Sequence, residues 1–223
     1  MATTPSDQAK VRAPEAAQWI VAAGRAVNYV GVTLALENPA SITTMKAGKE
    51  WAAMQTHFHV NDANALDVAK FVQQIYNNIA DTLSQANRLF VDGAPSAPYF
   101  GLGPLGGTRY KDDPKMADSS GRMWFGPNFL KGKRLFQTAV IVHEAAHFAD
   151  QTIDHWASEL PAPDGWPVDG ALHTGNTKKY SELTSTQAMQ NAYSYAQFAL
   201  HMFMGFDKRL HFRQLSGGDF ESE

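Results

Sequence analysis

Inside the apolar run "AVIVHEAAHF" the sequence sets two histidines four residues apart, with a glutamate directly after the first: His143-Glu144-Ala145-Ala146-His147. On a helix of 3.6 residues per turn, positions four apart stand one above the other on the same face. His143 and His147 then present two imidazoles to one point, and such a pair can hold zinc at about 2.0–2.1 Å from each nitrogen. Glu144, one step round the helix, is poorly directed as a ligand but reaches a water beside the metal, where its carboxylate acts as general base. The plain alternative is a satisfied pair of core histidines. The apolar surroundings weigh against it, because an unpaired glutamate there would be costly.

A zinc hydrolase needs a third protein ligand and keeps the fourth position for water. Asp154, His155 and Glu182 follow the motif as candidates. The longer pattern His-Glu-x-x-His-x-x-Gly-x-x-His is absent, since position 150 is Asp and position 153 is Ile. Other polar residues are less specific. His57 and His59, in "QTHFHV", would line one face of a strand and could bind metal, although two histidines without further ligands read more readily as ordinary polar residues. His173 and His201 are candidates to donate to an oxyanion. Tyr193 and Tyr195 sit at helical spacing and should pack, with one able to face the metal.

The elements that must position these groups follow from periodicity. A helix over Leu135 to Gln151 carries the motif and buries Val140, Val142 and Ala146. The clearest long helix runs from Ala63 to Phe90, where Val68, Val72, Ile75, Ile79, Leu83, Ala86 and Leu89 recur at three and four. A last helix, Ser185 to Met204, opens on Thr184 and Gln187 at capping-box spacing. The apolar segment "AAQWIVAAGRAVNYVGVTLAL" is interrupted by Arg25 and Asn28, falls short of a membrane span and reads as a buried helix opened by Pro14. Between Asp92 and Gly121 a glycine- and proline-rich stretch should be a long loop with short extended pieces at "PYFGL" and, just after it, "RMWFG". A second irregular stretch, "ELPAPDGWPVDGALHTGNTKKY", precedes the last helix. "KGKR" reads as a solvated turn before the motif helix.

Composition bounds the rest. With 223 residues, 44% hydrophobic and 18% charged, the chain can bury one good core, so a single domain over 1–223 is expected. A net charge of −3 offers no basic field for a phosphate backbone, which argues against nucleic acid as partner. The absence of cysteine excludes thiolate ligands, cysteine nucleophiles and disulfides. The polar start carries no signal-peptide pattern, so the expected location is the cytoplasm or, for a toxin or effector, export by a specialised machine, with that machine or an inhibitor protein as companion. The fold class expected is α+β, mostly helical, with a few short strands beside the motif helix.

"HEAAHFADQTIDHW" resembles the pattern of the aspzincin metallopeptidases, the family of deuterolysin and peptidyl-Lys metalloendopeptidase. In that family the motif helix is followed by Gly-Thr-x-Asp-x-x-Tyr-Gly, and Thr152, Ile153 and Asp154 match its Thr-x-Asp core. "QAMQNAYSYAQFA" is similar to the family's downstream helix, and "MWFGPNFL" to the short extended segment before the motif. The similarity spans roughly 122–200. Gln151 stands where the family has glycine, Ala157 where it has tyrosine and Tyr193 where it has aspartate.

The resemblance implies a zincin-like fold and a Zn2+-dependent peptidase acting on proteins or peptides, with metal ligands His143, His147 and Asp154. It implies Glu144 as base, with Tyr180 replacing the missing tyrosine as a donor to the oxyanion. "MWFGPNF" is expected to offer a free strand edge to the substrate backbone. Two alternatives stand beside this reading: a gluzincin-like hydrolase using Glu182, and a non-catalytic binding protein with the same fold.

Overall fold

The N-terminal segment forms one long helix, α1 (Pro5–Ala35), capped by Thr4, whose hydroxyl accepts the Asp7 N–H at 3.2 Å. Its start lies nine residues before the opening expected at Pro14. Thr4 and Pro5 supply a cap and a first-turn proline, and Pro14 stays inside the helix on its exposed face. The buried face of α1 is mostly small: Ala9, Ala13, Ala16, Ala23 and Ala26, beside the larger Trp19 and Val27. Small side chains let neighbouring helices approach closely.

The computed structural model describes residues 3–93, 106–109, 121–150 and 180–208. Over these residues the chain is mostly helical α+β. After α1 come α2 (Pro39–Lys46), α3 (Lys49–Phe58), α4 (Ala65–Ser84) and the short α5 (Ala86–Leu89). Strand β1 (Phe90–Asp92) follows directly, then β2 (Gly106–Arg109), β3 (Arg122–Phe125) and a one-turn 3-10 helix, Pro127–Lys131. The motif helix is α6 (Arg134–Asp150). A 3-10 turn at Tyr180–Glu182 leads into α7 (Ser185–Met189) and α8 (Ala192–Met204).

Helix α4 buries the stripe expected of it, from Val68 to Leu83. The same periodicity overran its end, because the chain bends at Gln85 and Phe90 enters a strand. The last helix is likewise two. Its capping box is present, with Thr184 and Gln187 bonded reciprocally, but Asn191 is extended and α8 starts afresh after it. Helices α2 and α3 were not expected.

In the sheet, β3 lies in the centre, parallel to β1 and antiparallel to β2. This corrects the expectation of a free edge at "MWFGPNF". Phe90 pairs with Met123 on one side of β3 and Thr108 with Met123 on the other, so β3 has no open edge for substrate. Met123 and Phe125 point into the core. The piece expected at "PYFGL" lies outside the described residues.

Asp92, at the end of β1, receives the Ser6 N–H at 2.7 Å and so ties the sheet to the first turn of α1. Burial alone would raise its carboxyl. The Ser6 N–H, the hydroxyls of Thr4 and Ser6 and the Lys10 charge outweigh that and hold it below its ordinary value. For a carboxyl so lowered, the stabilising contribution is complete above the unfolded value of about 3.9 and is lost as pH falls through the folded value, since the unfolded chain binds more protons in that window. Asp92→Asn keeps the accepting oxygen and removes the titration. Its urea midpoint should therefore drop slightly less than that of wild type between about pH 5 and pH 3; equal drops would place the acid sensitivity elsewhere.

Helix α6 lies against α1, α4 and α8. Its first turns are joined to α1 by polar contacts: Gln137 Oε1 accepts from Gln8 Nε2 and Arg12 Nε, and Arg134 Nε meets Glu15 Oε2 at 2.8 Å. "KGKR" therefore ends in a residue paired with α1, although Lys131 and Lys133 are exposed as expected of a turn.

Candidate metal centre

Ala139, Val140, Ile141, Val142, Ala145 and Ala146 of α6 are all at most 1% exposed. A helix that is apolar all round is a core helix. Within it, His143 and Glu144 are 1% and 2% exposed, and His147, one turn on, is half-buried.

The spacing argument holds in space. His143 Nε2 and His147 Nε2 face each other at 3.1 Å, with ring planes perpendicular. Two nitrogens on one tetrahedral zinc at about 2.05 Å would stand about 3.3 Å apart, so an opening of a few tenths of an ångström admits the ion. The donor set of two neutral imidazoles suits zinc. Tyr193 of α8 lies against His143 with ring centroids 4.4 Å apart. Tyr195, two residues on, packs against Phe58 and Tyr76, and its hydroxyl donates to the Met189 carbonyl at 2.7 Å.

The candidate third ligand Asp154 lies outside the described residues, as do His155 and His173. Glu182 is exposed, in the 3-10 turn. Among the described residues one group alone brings three potential metal-ligand atoms within 4.8 Å of one another, and it contains neither Glu182 nor the α6 histidines: it is His57, His201 and Asp207.

No spacing in the sequence brings that group together. "QTHFHV" is the end of α3 and not the strand expected there. His57 is in its last turn, and His59 caps it in the left-handed region at φ 52°. Helical geometry turns residues two apart to different sides, yet both histidines meet one residue. His57 Nδ1 lies 2.8 Å from the Tyr180 hydroxyl, and His59 Nε2 lies 3.0 Å from the Tyr180 carbonyl oxygen. Burial lowers the His59 pKa against the raising effect of that bond. The second nitrogen of His57, Nε2, lies 3.0 Å from His201 Nδ1 on α8.

Tyr180 is therefore held by its hydroxyl and its carbonyl against the end of α3. Helix α8 joins the two histidine centres, with Tyr193 at the first and His201 at the second, about 12 Å apart along its axis. His57 and His201 are separated by 144 positions; no spacing rule could have paired them. Asp207 carried no signal beyond being an acid near a histidine.

Comparison of the chain with protein-family models, curated proteins and solved structures returns no match. Fold and site together define a mostly helical α+β chain with a buried His-Glu-x-x-His helix. No described helix is long and apolar enough to cross a membrane.

Proposed function

We propose that this chain is a zincin-like, zinc-dependent metallopeptidase, similar to the aspzincins, that hydrolyses peptide bonds in proteins or peptides. The observation that carries the reading is the approach of His143 Nε2 and His147 Nε2 to 3.1 Å on a core helix, with the Glu144 carboxyl buried beside them. Both histidines would hold the ion, with Asp154 as third ligand by the resemblance. Zinc bound there supplies a water of pKa about 7 and polarises a carbonyl.

The protein's own residues do the rest. Glu144 takes the proton of the attacking water on a carboxylate oxygen and returns it to the departing amine nitrogen. Burial of α6 removes competing solvent and strengthens each charge interaction at that point. For the oxygen that gains negative charge, the resemblance suggests Tyr180 as donor, but its hydroxyl stands 2.8 Å from His57 Nδ1, and the ring contact with His143 favours Tyr193 instead.

Asp154 follows His147 closely enough for a turn to bring it back, whereas Glu182 must return over about thirty residues of chain. Loss of a ligand should weaken zinc by more than the roughly 10–100-fold typical of an outer partner. Zinc titrations in the presence of a competing chelator, with folding followed by circular dichroism, should show such a loss at the α6 site for Asp154→Ala and none for Glu182→Ala. The reverse result would replace the aspzincin-like reading by the gluzincin-like one.

A further inference from the structure

We infer that His57, His201 and Asp207 form a second metal site, independent of the α6 pair, for a zinc-class divalent cation that clamps the C-terminal end of α8 to α3. His57 Nε2 and His201 Nδ1 face each other at 3.0 Å, nearly the separation seen in the α6 pair, and the same small opening brings them to a zinc-bound spacing of about 3.3 Å. A carboxylate oxygen of Asp207 and one ring nitrogen of each histidine lie within 4.8 Å of one another. Two imidazoles and a carboxylate suit zinc and leave a fourth position for water.

The surroundings are those of a ligand set. A metal-bound histidine uses its other ring nitrogen to donate to an oxygen, which fixes tautomer and orientation. His57 Nδ1 has the Tyr180 hydroxyl at 2.8 Å in that role. The His57 ring is 0% exposed and stands edge-on to Phe198, so its aim is set by packing. Asp207 reaches the site because α8 stops in a left-handed turn at Gly205, φ 80°, whose N–H bonds the His201 carbonyl at 2.9 Å and reverses the chain. A residue with a side chain is strained at that φ, and glycine is not. Asp207 is exposed and His201 half-buried, so an ion can arrive from solvent.

A plain N–H···N bond between the two rings would give a similar separation, and metal binding separates the cases. The full-length protein is saturated with zinc chloride, freed of excess, and assayed for bound zinc per chain, with affinities from chelator competition. Wild type should hold two. Asp207→Asn, a surface change that spares the fold, and His201→Gln should each weaken one zinc by more than 100-fold, and Tyr180→Phe should weaken the same one by roughly 10–100-fold. The pair His143→Gln, His147→Gln should keep this zinc and still gain thermal stability on its addition.

One zinc lost with the α6 pair and unchanged in Asp207→Asn and His201→Gln would overturn the inference and leave a hydrogen-bonded cluster. One zinc lost in Asp207→Asn and kept by the α6 pair variant would support it while removing the proposed function.

Discussion

Glu144→Gln should keep zinc at the α6 site at wild-type affinity and lose peptide hydrolysis by about 100-fold or more, some 2.7 kcal/mol in the barrier. The amide has the shape of the carboxyl and can still accept a hydrogen bond, but it cannot hold the proton of the attacking water. Glu144 is 2% exposed in a helix otherwise lined by alanine, valine and isoleucine. A carboxyl in that position costs stability unless it is paired or hydrogen-bonded. A structural glutamate would give the opposite pattern: altered unfolding and unaltered turnover. Cleavage of a broad peptide library by wild type and variant, each with its zinc content measured, decides between them. Equal cleavage, or none by either protein, would sink the catalytic reading and leave a binding protein.

Phe198→Ala should cost about 3–5 kcal/mol of stability, the range for emptying a fully buried aromatic site. Phe198 is 0% exposed, and its ring meets Phe58 at 5.3 Å and His57 and Tyr76 at 6.0 Å each. It thus joins α3, α4 and α8 at one point. Domains have in total about 5–15 kcal/mol, so the variant should be close to unfolding at room temperature. Urea denaturation measures the loss, and Phe198→Leu, which refills much of the volume, should recover a large part of it. A loss under about 1 kcal/mol would mean that the cavity collapses and that the α3–α8 contact is not the support inferred for His57.

Much of α6 was legible before any coordinates. It starts one residue before the expected Leu135, its expected end at Gln151 lies outside the described residues, and Val140, Val142 and Ala146 are buried as the pattern required. The stripe of α4 and the cap at Thr184 were equally plain. Errors fell where a local pattern continues past the point at which tertiary contacts end it. Ala86 and Leu89 keep helical spacing with α4, yet Phe90 pairs with Met123 because β3 offers it a ladder. The motif for α8 reads on from α7, yet the chain breaks at Asn191, whose side-chain amide bonds Ser194 at 3.1 Å. "RMWFG" was correctly extended, but whether a strand is central or at an edge depends on its neighbours and not on its own residues.

By itself, then, the sequence determined what acts within a turn or two of helix: which faces are apolar, where Thr184 could cap, and that His143 and His147 share a side with Glu144 next to them. Those relations follow from a fixed 100° per residue and need no other part of the chain. Only the tertiary structure decided that Tyr180 bonds His57, that His57 meets His201 across 144 positions and that Tyr193 covers His143. Such pairings arise when whole helices pack, and packing is selected by the summed fit of many apolar side chains, so no spacing within the histidines themselves records it.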